Sequence, residues 1–166
     1  TWKTINPQDP PAEWCPPGGR WEHLYSTHEL YNAGHLYEAA AAHYHATGKK
    51  NLLNIAIKNA DLVVDVFNNE LTYMYAGMTD IAALYDDDTY RNAVDDLWEN
   101  IVSKKIYLTG GIGARHEGEA FGENYELPNL TAYNETCAAI ANVYWNYRMF
   151  LLHGDSKYID VLERSL

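Results

Sequence analysis

Residues 28–48, HELYNAGHLYEAAAAHYHATG, contain the pattern that decides the fold. Apolar residues recur there at intervals of three and four, the period of a helix, at Leu30, Tyr31, Ala33, Leu36, Tyr37, Ala40, Ala41 and Tyr44. Gly48 follows, and glycine commonly ends a helix because it tolerates the left-handed conformation. The pattern therefore predicts a helix over residues 28–47.

The same periodicity predicts further helices and makes the chain all-α apart from one loop. Their expected ranges are 52–67, 70–85, 89–103, 131–152 and 156–166. Three times a helix ends on Gly or Asp, and a new apolar pattern opens four residues later, at Leu52, Tyr90 and Tyr158. Such repeated helical hairpins must bury their faces on neighbours, and both an α-solenoid and a closed α/α toroid satisfy this need.

Two segments lack a helical period. Residues 1–20 hold five of the six prolines and predict an extended lead-in before a helical domain at residues 21–166. Residues 104–126, KKIYLTGGIGARHEGEAFGENYE, carry five glycines and predict a long ordered loop, with room for a short strand at residues 106–109. Long loops in compact domains are usually functional, and this one favours a toroid whose loops build a pocket.

Composition and charge exclude several classes of protein. A chain of 166 residues that is 47% hydrophobic can bury a core without disulfides, and its two cysteines, Cys15 and Cys137, allow at most one. A formal net charge of -11 without a basic stripe disfavours a nucleic-acid partner. No apolar run reaches the roughly 18 residues of a membrane span, and no export signal precedes the helices. We therefore expect no membrane association and favour a cytoplasmic location, while the oligomeric state stays open.

Acidic residues crowd the glycine-rich segment and the residues after it. The five glutamates are Glu117, Glu119, Glu123, Glu126 and Glu135. Hydrolysis of a glycosidic bond commonly uses a pair of carboxylates flanking a cleft. A solvated acidic loop is the alternative, because the whole chain is acidic. The glycines of GGIG and GEAFG around these acids favour a site.

Two further pairs of residues are candidates for chemistry. Glu135 and Cys137 carry zinc-ligand groups, but a zinc site needs three or four ligands, and a cysteine in a helix is more often a small core residue. Residues two apart point about 200° apart on a straight helix, so a shared metal requires residues 135–137 to precede the helix proper. His28 and His35 share one helical face, where they suit either a sugar pocket or the core.

Residues 28–61 and 73–166 closely resemble the β-L-arabinofuranosidase family of glycoside hydrolases, GH127. The motifs that carry the resemblance are TGGIG, GEAFG, YELPN and AYNETCAAI, in this order. The resemblance covers roughly residues 20–166 and implies part of an (α/α)6 barrel, the catalytic domain of the family, without its β-sandwich domains. It also implies retaining hydrolysis of terminal β-L-arabinofuranosides, with a zinc-bound cysteine thiolate as the nucleophile.

Residue by residue, the resemblance implies specific roles. Glu119 of GEAFG matches the general acid/base, and Glu135 and Cys137 of ETC match two of the four zinc ligands. His28 or His35 matches a sugar-contacting histidine, with His28 slightly favoured. The nucleophilic cysteine and the neighbouring cysteine ligand have no counterpart in these residues, and a segment of the family is missing or deleted near residues 67–70.

Two other functions stay open at the level of the sequence. One is an α/α-toroid sugar epimerase or isomerase, which uses histidines and acids without a metal. The other is a truncated helical binding module without catalysis. A carbohydrate partner is expected for the hydrolase and for the epimerase, because both act on sugars.

Overall fold

The computed structural model describes residues 29–66, 72–85 and 88–166 of the chain. The proline-rich segment at 1–20, His28 and the junction at 67–70 lie outside these residues. The described helices are α1 (Glu29–Thr47), α2 (Asn51–Val66), α3 (Thr72–Tyr85), α4 (Asp88–Lys104), α5 (Thr136–His153) and α6 (Ser156–Ser165). No strand occurs within the described ranges, so the prediction of an all-α fold is confirmed.

Two details of the predicted elements are wrong. The short strand expected at residues 106–109 is a single bridge between Ile106 and Ile112, because the chain turns back at once through Gly110. The helix expected from residue 131 begins at Thr136. The late start has a physical cause: the Asn134 N–H donates to the Gly113 carbonyl at 2.9 Å, on the other side of the loop, and not to a helical carbonyl.

The odd-numbered helices form one layer. Gly77 of α3 lies against Gly34 of α1, and a Cβ at residue 77 would stand 2.6 Å from the Gly34 carbonyl oxygen, so the close approach of the two helices requires glycine. On the other side of α3, Tyr75 packs on Trp145 of α5 with ring centroids 5.0 Å apart. Four residues further on, the Thr79 hydroxyl lies 3.6 Å from the Met149 sulfur. The contacts advance in the same direction along α3 and α5, so these two helices run parallel.

The even-numbered helices form a second layer, each paired with the odd helix before it. The Tyr90 hydroxyl of α4 donates to the Asp61 carboxylate of α2. Trp98 of α4 contacts Tyr158 of α6 with ring centroids 4.7 Å apart, and its indole N–H donates to Asn146 of α5 at 2.8 Å. Paired helices in two layers, with parallel neighbours in a layer, are the arrangement of an α/α toroid. The toroid is therefore the architecture of which this chain forms part, as predicted.

One guanidinium group links three helices of the odd layer. Arg148 of α5 contacts Glu38 of α1 at 2.7 Å and Asp80 of α3 at 3.0 Å, and it also donates to the Tyr144 carbonyl at 3.2 Å. Burial raises the pKa of the Asp80 carboxyl, although Arg148 acts in the opposite direction. Arginine can make several such contacts at once because its donors form a planar fork.

None of the helices in the described part of the chain is both long enough and apolar enough to cross a membrane.

Candidate active site

The loop between α4 and α5 folds back on itself and carries the acidic residues. Its central hairpin is closed by paired backbone bonds between Arg115 and Ala120, at 3.0 Å and 3.2 Å. Residues 117–119 form a single 3-10 turn at the tip. The end of the loop is bound to its start, because the backbone N–H groups of Tyr133 and Asn134 donate to the carbonyls of Ala114 and Gly113. The segment is therefore an ordered loop, as the glycine pattern predicts.

Within the described ranges, strained backbone at residues other than glycine is confined to this loop. Among the described residues, the non-glycine positions with positive φ are Glu119 at 51°, Tyr125 at 66° and Asn134 at 46°. Left-handed backbone is unfavourable for residues with a side chain, and such strain clusters at functional sites, where the surrounding contacts maintain it. The position of Glu119 among these three residues marks the tip of the hairpin as a candidate site.

An ion pair at the base of the hairpin holds its shape. Arg115 binds Glu126 with two parallel contacts, Nε to Oε1 at 2.8 Å and Nη2 to Oε2 at 2.6 Å. The same carboxylate accepts the Glu123 N–H at 2.8 Å, and these bonds lower the pKa of Glu126 to about 2. A Cβ at Gly122 would lie 2.6 Å from the Glu126 carboxyl carbon, so only glycine leaves room for the pair.

Glu119 presents an exposed carboxylate near the start of α5. Its Oε1 accepts a hydrogen bond from the Tyr133 hydroxyl at 3.3 Å. The ring of His116 meets the ring of Tyr133 edge-on, with centroids 4.9 Å apart and planes at 88°. Partial desolvation, together with the negative charges of Glu119 and Glu135, raises the pKa of Tyr133. The phenol therefore keeps its proton and serves as a hydrogen-bond donor at neutral pH.

Glu135 and Cys137 come together at the beginning of α5. Glu135 is the N-cap residue, with extended backbone at φ -64° and ψ 140°, whereas Cys137 lies in the first turn. The thiol hydrogen-bonds to the Glu135 carboxylate, and this bond, desolvation and the adjacent negative charge raise the pKa of Cys137. The expectation that residues 135–137 all precede the helix is wrong, because the helix begins at Thr136 and only Glu135 keeps extended backbone. Cys137 is exposed, so it is not a core residue.

Glu119, Tyr133, Glu135 and Cys137 are electrostatic neighbours at the start of α5. The charge of Glu119 acts on both Tyr133 and Cys137, and the charge of Glu135 acts on the same two groups. Two carboxylates, a phenol and a thiol can donate and accept protons around a small ligand. Tyr133, Arg115 and Glu126 were not predicted as site residues; the AYNETCAAI motif, which contains Tyr133, is the sequence signal that could have found that residue.

The predicted histidines lie on or before α1. His28 is outside the described residues. The ring of His35 is half exposed; its Nδ1 lies 3.1 Å from Glu38, and its centroid is 4.7 Å from that of Tyr31. Glu38 in turn binds Arg148, so the orientation of His35 is connected to the link across the odd layer.

The donor set of Glu135 and Cys137 fits part of a zinc site. Carboxylate oxygen and thiolate sulfur are both zinc ligands, and here the Cys137 thiol is a hydrogen-bonding neighbour of the Glu135 carboxylate. In the described part of the chain, no group of three or more His, Cys, Asp or Glu side chains is arranged to hold a metal ion. The pair alone therefore does not form a complete metal site within the described residues.

The family model described as "Beta-L-arabinofuranosidase, GH127 catalytic domain" matches the chain twice, over residues 1–76 and 69–166. The chain belongs to the GH127 family. A curated relative of this GH127 chain is the non-reducing end β-L-arabinofuranosidase of Bifidobacterium longum subsp. longum. The two are 38% identical over 94 residues, which is 57% of this chain and 14% of the relative.

Solved structures agree with this GH127 assignment. A GH127 β-arabinofuranosidase is 43% identical, with a TM-score of 0.64 over 98% of this chain and 36% of its own. A GH127 β-L-arabinofuranosidase from Geobacillus stearothermophilus T6 is 30% identical, with a TM-score of 0.59 over 90% of this chain and 37% of its own. A third structure, named only as a glycoside hydrolase, has a TM-score of 0.74 at 26% identity. The chain thus spans about a third of the first two structures.

Proposed function

We propose that the protein is a glycoside hydrolase that releases terminal β-L-arabinofuranosyl groups with retention of configuration. The observation that carries the proposal is the shared site of Glu119, Tyr133, Glu135 and Cys137 in a GH127 chain. The names of the curated relative and of two similar structures support the arabinofuranoside as substrate. Family membership favours this hydrolase over a sugar epimerase or isomerase and over a non-catalytic module.

Glu119 acts as the general acid and then as the general base. In the first step the carboxyl group protonates the glycosidic oxygen, which leaves with the electron pair of the broken C–O bond, while a nucleophile bonds to the sugar carbon. In the second step the carboxylate removes a proton from water, which displaces the nucleophile. The exposed carboxylate at the hairpin tip is accessible to both a sugar and water.

The resemblance assigns the nucleophile to a cysteine that these 166 residues do not contain. Glu135 and Cys137 would hold a zinc ion together with two further thiolates. A bound zinc ion keeps a thiolate deprotonated near neutral pH. The hydrogen bond between the Cys137 thiol and the Glu135 carboxylate supports this assignment, because both ligands already lie side by side.

Sugar contacts are proposed for His28 and His35. His35 is supported by its half-exposed ring, which Glu38 and Tyr31 hold in one orientation.

The missing or deleted segment near residues 67–70 stays a prediction. It is supported by the two separate matches to the family model, which meet between residues 69 and 76.

The decisive experiment replaces the acid/base. In the full-length protein, Glu119→Gln should lower kcat/KM on an arabinosyl disaccharide by about 10²- to 10⁴-fold, since an amide cannot deliver a proton. Glu117→Gln is the matched control, because Glu117 lies in the same 3-10 turn with an exposed side chain. We expect this control to retain activity and both variants to keep the far-ultraviolet circular dichroism of the parent.

Azide gives a positive test of the same role. An aryl arabinofuranoside has a leaving group that needs no acid, so the first step does not depend on Glu119. In the second step azide can replace water, and azide needs no base. Glu119→Gln should therefore form an arabinosyl azide. Near-normal hydrolysis of the disaccharide by Glu119→Gln would contradict the assignment. So would a wild-type protein that cleaves neither substrate.

A further inference from the structure

Tyr133 is held in place by the loop itself. Its backbone N–H donates to the Ala114 carbonyl at 3.3 Å, and the next residue is bound to Gly113 at 2.9 Å. Its ring rests edge-on against His116, which precedes the 3-10 turn of the hairpin. Backbone and ring therefore fix the phenol relative to the hairpin that carries Glu119.

Glu119 has few restraints of its own. The residue is exposed, and its backbone is held in the left-handed region at φ 51°. Among the described residues, the Tyr133 hydroxyl is the side-chain group that hydrogen-bonds its carboxylate. The O···O distance of 3.3 Å is longer than a typical hydrogen bond of this kind, as is common at active sites without substrate. Without this contact, the carboxylate would be free to rotate in solvent.

We propose that Tyr133 is a positioning residue for Glu119, with His116 supporting the phenol ring. The hydroxyl holds one carboxylate oxygen and thereby directs the other toward the glycosidic oxygen of the substrate. The inference rests on the proposed role of Glu119. Misplacement of a catalytic group by about 1 Å can cost about 10²-fold in rate, so a single hydrogen bond of this kind can matter for catalysis.

Tyr133→Phe in the full-length protein tests the inference with two substrates. The variant keeps the ring on His116 and loses only the hydroxyl. For a two-step retaining enzyme, kcat/KM reports the first step. In that step the disaccharide needs a positioned acid, whereas an aryl substrate with a good leaving group does not. We expect kcat/KM to fall about tenfold or more on the disaccharide through kcat, and to stay close to wild type on the aryl substrate.

Two further variants sharpen the test. His116→Ala should show the same selective loss to a smaller extent, and the double variant should lose less than the product of the two single losses, because both act on the same phenol. Tyr125→Phe is the matched control. It removes a hydroxyl from the same loop at a side chain that is 70% exposed, and we expect no effect on either substrate.

Each outcome has one meaning. Equal losses on both substrates would assign Tyr133 a merely structural role and overturn the inference, as would wild-type activity of Tyr133→Phe on the disaccharide. In both cases the proposed function stands if Glu119→Gln is inactive on the disaccharide and Glu117→Gln is active. If Glu119→Gln lowered kcat/KM equally on the disaccharide and on the aryl substrate, the proposed function would be overturned, and the inference with it.

Discussion

The layer of odd-numbered helices and the loop between α4 and α5 hold their shapes by different means. In the layer, large apolar side chains such as Tyr75, Trp145 and Met149 are fully buried. In the loop, Ile112 is also fully buried, but the hairpin that carries Glu119 is held by the Arg115–Glu126 ion pair and by backbone hydrogen bonds. The difference indicates that stability resides in the layer and that the loop can carry strained, polar and exposed groups for chemistry.

The strongest test of this division is a cavity in the layer. Trp145 is fully buried, and its indole N–H donates to the Thr79 hydroxyl at 3.1 Å. Trp145→Ala should lower the free energy of unfolding by about 3–5 kcal/mol, because it leaves a large cavity. Leu108→Ala removes an apolar side chain of the loop that is 93% exposed, and should change stability by less than about 0.5 kcal/mol. Urea titration measures both, and equal losses would break the comparison.

Removal of one zinc ligand should change metal content without unfolding the layer. Because a zinc site needs three or four ligands, Cys137→Ala in the full-length protein should leave substantially less zinc bound after dialysis. Cys15→Ala is the control, since Cys15 lies in the proline-rich segment without a matching motif. Elemental analysis by mass spectrometry gives the zinc per chain. Full zinc content in Cys137→Ala would refute the assignment of this ligand.

The ion pair of the loop should affect activity more than stability. Arg115→Lys keeps the charge but cannot make two parallel contacts with Glu126, so the hairpin that carries Glu119 loses its fixed base. We expect about a tenfold loss of kcat/KM on the disaccharide, with a decrease in melting temperature much smaller than that of a core variant. Arg91→Lys changes an exposed ion pair within α4 and should leave both quantities unaltered. A fall in the melting temperature of Arg115→Lys as large as that of a core variant would contradict the division.

The smallest effect concerns pH. The pKa of Glu126 is about 2 in the folded protein, below its value of about 4.3 in an unfolded chain, so the ionised carboxylate stabilises the fold above pH 4.3. This contribution is lost as the pH falls toward 2. The stability difference between wild type and Glu126→Gln, from urea midpoints, should therefore be largest near neutral pH and shrink below pH 4. Glu123→Gln, which removes an exposed carboxylate three residues away, should show no such trend.

The helices were predictable because each of them buries one repeating set of residues. The periodicity of residues 28–47 corresponds to α1, and the other patterns correspond to the remaining helices within a few residues. The one late start, at Thr136, was not predictable from apolar spacing. It depends on a hydrogen bond between Asn134 and Gly113, which lie 21 residues apart in sequence.

The site was only partly predictable. Glu119, Glu135 and Cys137 came from motifs and from resemblance, and spacing alone argued against a shared location for the last two. Tyr133 gave no signal of its own, since it is one of 14 tyrosines. The left-handed backbone of Glu119 could not be predicted from its residue type, because Glu119 lies at the tip of the hairpin that the backbone bonds between Arg115 and Ala120 close.

The link through Arg148 limits how the toroid can change in evolution. The three hairpins look like copies of one unit, yet the guanidinium occurs in the third, and its two carboxylate partners occur in the first and the second. Exchange of one hairpin for another would leave charged groups partly buried without partners, which is costly. The units are therefore not interchangeable modules. Substitutions at residues 38, 80 and 148 should therefore covary among related proteins. The constraint on these positions comes from the layer as a whole and not from a single repeat.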